Sequence, residues 1–333
     1  MPTRVLVTGA GGFIGHHLVT YLKERDYWVR GVDLKHPEFT TTDADDFEIL
    51  DLRRWDACLQ AVRGVEHVYA LAADMGGMGF ISSNHATILR NNALINLHTI
   101  DAARLEGVKR YLYSSSACIY PEHLQRDTDV KPLREEDAYP ANPQDAYGWE
   151  KLVSERLCEY YYGEFGLDTR TVRFHNIYGP RGTYDGGREK VPAALCRKIA
   201  LVDDGGEIEL WGDGEQTRSF CHVDDCVEGI YRLMQSDHRD PLNLGTDRMV
   251  SINELAGIIM RIAGKPNLRI RHVDGPQGVR GRNSDNSRLR TALGWEPSIS
   301  LEGGLVSTYQ WIEEQVRARE TASWTPREVA RAS

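Results

Sequence analysis

Residues 4–25 constrain the fold of this chain more than any other stretch. A β-rich apolar run, Arg4–Thr8, enters the loop Gly9-Ala10-Gly11-Gly12-Phe13-Ile14-Gly15, and a helical pattern over 13–25 follows at once. A helix that begins on glycines presents uncovered N–H groups and the positive end of its dipole, a combination that suits a pyrophosphate. The same spacing also fits a tight strand-to-helix turn with no ligand, so the context has to decide. A second strand, Trp28–Asp33, comes next, and Asp33 closes it 18 residues after Gly15. A carboxylate there can bond adenosine ribose hydroxyls and repels a 2′-phosphate, which favours NAD over NADP.

The alternation then continues. Further strands are expected over 67–72, 110–115 and 169–174, and helical stretches over 52–62, 86–105 and 144–165. Each parallel crossover needs a helix, so this order predicts an α/β fold, a Rossmann-type doubly wound parallel sheet. After Asn176 the pattern breaks into glycine turns at 179–187, 205–206 and 212–214, with helical stretches over 224–234 and 252–262. This half reads as a smaller mixed α/β substrate lobe above the carboxyl edge of the sheet. The expected division is 1–174 with about 217–247 for the cofactor domain and about 175–216 with 248–317 for the substrate lobe. Residues 318–333 show no clear periodicity and are expected to be a peripheral tail.

Composition narrows the function. Forty basic and 49 acidic residues give a net charge of −9, which argues against broad nucleic-acid binding. An anionic substrate would need its basic ligands gathered locally. No apolar run approaches the roughly 18 residues of a membrane span. The cysteines, Cys58, Cys118, Cys158, Cys196, Cys221 and Cys226, are scattered with no C-x-x-C pair, so reduced thiols are expected rather than disulfides or a metal site. The first strand begins almost at the first residue, so no signal peptide is expected, and the chain reads as cytoplasmic.

Tyr147 and Lys151 lie four apart in a helical stretch and share one face. An ammonium beside a phenol favours the phenolate, which would make Tyr147 a base for a hydroxyl proton. Ser114-Ser115-Ser116 ends the preceding strand, where a serine hydroxyl can bond the same substrate oxygen or, more plainly, cap a turn. Cys118 follows Ser116 by two, and extended backbone would point both side chains into one cleft. His175 and His222 read as satisfied structural histidines, and Asp224-Asp225 as the cap of the next helix.

These motifs, with Arg173-Phe174-His175-Asn176-Ile177-Tyr178-Gly179-Pro180, Arg218-Ser219-Phe220-Cys221-His222 and Leu293-Gly294-Trp295, resemble the extended short-chain dehydrogenase/reductase family, from about residue 4 to 315. Four stretches are similar to its GDP-mannose 3,5-epimerase branch: 73–80 (Ala-Asp-Met-Gly-Gly-Met-Gly-Phe), 116–122 (Ser-Ala-Cys-Ile-Tyr-Pro-Glu), 186–190 (Gly-Gly-Arg-Glu-Lys) and 279–286 (Val-Arg-Gly-Arg-Asn-Ser-Asp-Asn). The resemblance implies NAD as cofactor, GDP-mannose as substrate and a homodimer built through the helices over 86–105 and 144–165. It assigns Tyr147, Lys151 and Ser116 to hydride chemistry at C4, Cys118 as carbon base and Lys190 as the opposing acid. It carries Gly76, Ala117, Asn176, Glu189, Lys198, Gln216-Thr217-Arg218 and Arg280 into the substrate site, with Arg282 as the alternative phosphate ligand. Gly76 and Gly77 are expected to leave room for the pyranose. Asp51 matches the family's adenine contact, and it fits a helix N-cap nearly as well. A 4-epimerase, a 4,6-dehydratase and a catalytically silent NAD-sensing module are the competing readings.

Overall fold

The computed structural model describes residues 2–276 and 278–323. Its centre is a sheet of seven strands: β1 (Arg4–Thr8), β2 (Trp28–Asp33), β3 (Asp46–Ile49), β4 (His67–Ala70), β5 (Arg110–Ser116), β6 (Asp168–Phe174) and, far along the chain, Leu242–Leu244. Every pairing in it is parallel, in the order Leu242–Leu244, β6, β5, β4, β1, β2, β3. The strand order reverses between β1 and β4, and the crevice at their carboxyl ends is where such sheets bind ligands. The expected strand over 67–72 stops at Ala70 because the Thr8 hydroxyl takes the N–H groups of Leu71 and Ala72, each at 3.1 Å.

The central strands β1, β4, β5 and β6 are buried on both faces, and the edge strand β3 is not. Helix α1 (Phe13–Lys23) and a later helix, Val223–Gln235, cover one face through Leu18, Val19, Leu22, Val227 and Ile230. On the other face, α2 (Trp55–Val62), α4 (His85–Leu105) and α5 (Ala146–Phe165) close over Leu6, Val68, Tyr111 and Tyr113; the single turn α3 (Met78–Ile81) precedes α4.

The remaining chain forms β7 (Ile177–Tyr178), α6 (Val191–Leu201), β8 (Glu207–Trp211), β9 (Thr217–Ser219), β10 (Cys221–His222), α7 (Val223–Gln235), β11 (Leu242–Leu244), β12 (Met249–Ser251), α8 (Ile252–Ile262), β13 (Arg269–Val273), β14 (Gly281–Arg282), α9 (Ser287–Leu293) and α10 (Leu301–Ser323). Helices α6, α8 and α10 share a separate core around Leu195, Ile199, Leu255, Ile259, Leu305 and Ile312. Small sheets, β13 beside β8 and β12-β9-β14, complete this mixed lobe.

Helix α10 crosses the tail boundary expected at about Arg317. Leu301, Leu305, Tyr309, Ile312 and Val316 form one buried stripe, and the helix continues past it to Ser323. Arg319 pairs with Asp185 at 3.1 Å and lies over the Tyr184 ring, so this end is docked; residues 324–333 lie outside the described residues. Asp224 and Asp225 do not cap α7 either. The His222 imidazole accepts the Asp224 N–H, and Asp225 instead takes the N–H groups of Ser298 and Ile299. None of the described helices is long and apolar enough to cross a membrane.

Candidate active site

The cofactor loop runs from β1 into α1. Gly9 has φ +70, a left-handed conformation that L side chains rarely adopt. A Cβ on Gly11 would stand 2.1 Å from the Lys35 carbonyl oxygen, and one on Gly15 would stand 2.0 Å from that of Gly9. These two glycines are thus required by the protein's own backbone packing as well as by any ligand. Gly12 caps α1 without a side-chain bond, and the first turn, which includes Phe13 and Ile14, carries no acidic residue. The helix therefore offers open N–H groups, which fits a dinucleotide pyrophosphate. Asp33 accepts the Gly11 N–H at 3.0 Å and the Leu34 N–H at 2.6 Å. Burial pushes its pKa up, and the backbone N–H groups of Leu34 and Gly11 oppose that rise. Replacing Asp33 with Asn is expected to weaken NAD⁺ binding and relax discrimination against NADP⁺, read by titrating each dinucleotide; unchanged selectivity would remove the carboxylate from the ribose.

Asp51 is engaged by a neighbouring arginine. It grips Arg53 through both oxygens, at 2.7–3.1 Å, while Arg54 takes the N-cap position of α2. The capping reading fails because the helix starts later than Leu52.

The three serines divide by direction. Ser114 bonds the Ala70 carbonyl at 2.9 Å and Ser115 bonds Glu155, so both are structural. Ser116 stands at the strand end, where its oxygen accepts the Cys118 N–H at 3.2 Å and pairs with the Tyr147 hydroxyl. The backbone therefore turns: Ala117–Ile119 is a short 3-10 helix, not extended chain. Cys118 reaches the cleft because of that turn, and the i to i+2 argument gives the right side for the wrong reason. Its half-buried side chain, like those of Met75 and Phe80, packs against the buried cluster of Ile81, Ile88 and Tyr147, while Ala117 is buried.

Helix α5 presents Tyr147 and Lys151 as its spacing requires. The Lys151 ammonium sits 5.6 Å from the Tyr147 ring centre and donates to the Ser114 carbonyl at 2.8 Å. The expected lowering of the phenol pKa is not what this arrangement gives. Burial pushes Tyr147 well above its ordinary value, with the nearby Cys118 and Glu150 adding to the rise. Burial likewise pushes Lys151 down, opposed by the carboxylates of Glu150 and Glu155. At this depth, desolvation outweighs the charge of a lysine that is itself desolvated. Behind Lys151, Asn96 donates to Glu150 at 2.5 Å and Ser154 donates to it at 2.8 Å. Sequence reading missed this buried set, because Asn96, Glu150 and Ser154 show no apolar signal.

The second lobe supplies the cations. Lys190 is the N-cap residue of α6; it is exposed as a residue, yet the depth of its ammonium in the cleft pushes its pKa down, and the Cys118 and Cys226 thiols act on its charge. Arg282 is 9 % exposed and donates to the Cys118 sulfur at 3.4 Å and to Gln125 at 2.6 Å. Arg218 gives its hydrogen bonds to the carbonyls of Thr217, Val279 and Arg280. Burial, with Arg282 beside it, pushes Arg218 down to about 9. A half-buried guanidinium bonded to carbonyls, with a second one alongside, is a local positive field in a chain of net charge −9.

Other expected substrate residues are turned to internal partners. Arg280 forks onto Asp213 at 2.8 and 3.0 Å, Lys198 donates to the Glu209 carbonyl at 2.7 Å, and Glu189 takes the Gly187 N–H at 2.6 Å. Asn176, at φ +48, donates to Ser219 at 2.8 Å; Thr217 bonds Thr128, and Gln216 is buried beside it. Gly76 packs against Phe80, and a Cβ on Gly77 would stand 2.6 Å from the Glu189 carbonyl oxygen. The space that a Gly77 side chain would fill is therefore taken by the 186–190 segment. His175 is fully buried and pushed down to about 3 by burial; its Nε2 pairs with Asn243 at 3.0 Å, while its buried Nδ1 has no partner among the described residues, so the expected satisfied histidine is only half satisfied.

Residues 5–245 match the family described as the NAD dependent epimerase/dehydratase family. The chain belongs to that family. It is 53% identical to GDP-mannose 3,5-epimerase 1 of Oryza sativa subsp. japonica over 96% of this chain and 84% of that one. It is 52% identical to GDP-mannose 3,5-epimerase of Arabidopsis thaliana, over 94% and 83% respectively. Among solved structures it is similar to a UDP-glucose 4-epimerase of Thermotoga maritima with UDP-glucose, at 27% identity and a TM-score of 0.83, over 94% of this chain and all of that one.

Proposed function

We propose that this protein is a GDP-mannose 3,5-epimerase, an isomerase that converts GDP-α-D-mannose to GDP-β-L-galactose with GDP-L-gulose as a side product. The observation that carries this is a thiol, Cys118, packed beside the Tyr147–Ser116 pair and facing cations of the second lobe. A 4-epimerase has no use for a thiol and a lysine across the ring, and a dehydratase usually places acidic residues where Ala117 and Cys118 stand. The identity to rice and Arabidopsis GDP-mannose 3,5-epimerases supports the same reading.

The chemistry follows from the acidity of the sugar carbons. C3 and C5 of a hexose do not release protons until C4 is a ketone, which places both α to a carbonyl. Gly9–Gly15 and Asp33 would hold NAD, which when bound would accept the C4 hydride and later return it, so that no cofactor would be consumed. Tyr147 takes the C4 hydroxyl proton, Ser116 holds that oxygen, and Lys151 fixes the helix-side geometry through Ser114. Cys118 then removes the carbon proton from one face and Lys190 returns a proton from the other, which inverts the centre. Tyr147 gives its proton back to the C4 oxygen as the ketone is reduced. Arg282 and Arg218 are assigned to the GDP phosphates, because Arg280 is engaged by Asp213.

Incubation with GDP-mannose in D₂O tests this reading. Deuterium at both C3 and C5 of recovered sugar nucleotide that keeps its 6-hydroxyl is the expected result; label at C5 alone with loss of the 6-hydroxyl would assign a 4,6-dehydratase, and exchange at neither carbon a 4-epimerase or a silent module. We further propose a reducing, cytoplasmic location, supported by six unpaired cysteines. A homodimer through α4 and α5 is supported by the apolar side chains Leu89, Leu97, Trp149, Val153 and Tyr160 exposed along them. The division into 1–174 with 217–247 and 175–216 with 248–317 is supported by the separate core of α6, α8 and α10, although Thr217–Ser219 pairs into the second lobe.

A further inference from the structure

Two segments that the mechanism uses only in part, 74–80 and 186–190, are fastened to each other across the mouth of the cleft. The Gly77 N–H donates to the Arg188 carbonyl at 3.2 Å. Gly77 has φ −70, open to any residue, so glycine is needed there for space: its missing Cβ is what lets the Glu189 carbonyl approach. The Arg188 guanidinium lies 3.9 Å from the Phe80 ring centre and 3.4 Å from an Asp74 carboxylate oxygen. Asp74 is in turn fixed to α4, where Asn91 donates to its other oxygen at 2.9 Å and Asn92 exchanges bonds with its backbone at 2.6 and 3.2 Å. Asn91 and Asn92 are both buried. Upstream, Gly186 and Gly187 have φ +92 and +85, with open space around both, so the segment enters on two glycines in the left-handed region. Two residues after Arg188 comes Lys190, the first residue bonded into α6.

We propose that Asp74 and Arg188, with Phe80, form a clasp that positions Lys190 opposite Cys118, making them positioning residues for the return of the proton. The inference rests on the acid role given to Lys190. The clasp ties a glycine-hinged segment of the second lobe to a rigid helix of the first. It thereby fixes the distance across the sugar ring between the group that removes the proton and the group that replaces it. Tyr147, Lys151 and Ser116 are carried by α5 and β5, so the hydride machinery meets the clasp only where Phe80 packs against the cluster around Tyr147.

Arg188 is 53 % exposed in its side chain, so Arg188→Gln is expected to fold normally. Three quantities are read on it: NAD⁺ reduction in a single turnover with GDP-mannose, deuterium exchange at C3 and C5, and inverted product. Inverted product per exchange event is expected to fall about tenfold or more, with the hydride step kept. The amide of Gly77 should exchange faster with solvent. Arg188→Lys should recover much of the loss, and Asp74→Asn combined with Arg188→Gln should be no worse than Arg188→Gln alone. A Lys190→Ala control separates the two failures. If Lys190→Ala is impaired and Arg188→Gln partitions like wild type, the clasp is overturned and the acid role stands. If Lys190→Ala keeps inverted product at the wild-type rate, the acid role fails and the clasp has nothing to position. A parallel loss of NAD⁺ reduction in Arg188→Gln would make the segment a wall of the binding site and would also overturn the proposal.

Discussion

Tyr147→Phe is expected to lower turnover by roughly a hundredfold or more while leaving GDP-mannose affinity nearly unchanged. Phenylalanine refills the same buried volume, so only the hydroxyl that pairs with Ser116 is lost. The nucleotide is assigned to arginines of the other lobe, which the substitution does not reach. The pH dependence is a second check. Because burial holds the phenol above its ordinary value, phenolate is a small fraction at neutral pH and grows tenfold per pH unit below that pKa. The rate of C4 oxidation in wild type should therefore climb with pH through the neutral range, and the residual rate of Tyr147→Phe should lose that slope. Measuring single-turnover NAD⁺ reduction against pH in both proteins decides it. A variant that keeps more than about a tenth of the wild-type rate would take the base role from Tyr147.

The sheet was legible where strands are long enough to carry a pattern. Arg4–Thr8, Trp28–Asp33 and the strands after them show apolar runs between helical stretches, and the glycine loop marks the first crossover. Asp46–Ile49 and Leu242–Leu244 are only four and three residues long, and such runs have no period to read. Helix α10 was not read, although its buried residues Leu301, Leu305, Tyr309, Ile312 and Val316 recur at helical spacing, and beyond Val316 the chain stays helical without that stripe. In the site, Tyr147 and Lys151 followed from helical spacing alone. Arg280 and Arg282 could not be ranked that way. What separates them is long-range: Asp213, 67 residues from Arg280, and Gln125, 157 residues from Arg282. The phenol pKa was misjudged for a similar reason, since spacing shows a charge nearby but not how deeply both groups are desolvated.

Cys118→Ser should abolish epimerisation and leave oxidation at C4 standing. The substitution keeps the size of the side chain, the 3-10 turn capped by Ser116, and an acceptor for the Arg282 guanidinium. What it removes is acidity: a thiol ionises near pH 8.5, roughly, whereas a serine hydroxyl does not ionise in water at any working pH. A base that must take a proton from carbon depends on that difference. Oxidation uses Tyr147, Ser116 and Lys151, which keep their places on β5 and α5. The variant should therefore reduce bound NAD⁺ in a single turnover, take up no deuterium at C5 or C3, and form inverted product at least about a hundredfold more slowly. Cys118→Ala should give the same pattern, with a small cavity beside Tyr147 as its only added effect. Loss of NAD⁺ reduction in both variants would mean that the thiol holds the sugar for the hydride step. Epimerisation by Cys118→Ser at the wild-type rate would leave the thiol a packing group for Tyr147 and Ile88, and the carbon base would have to be another residue of the cleft.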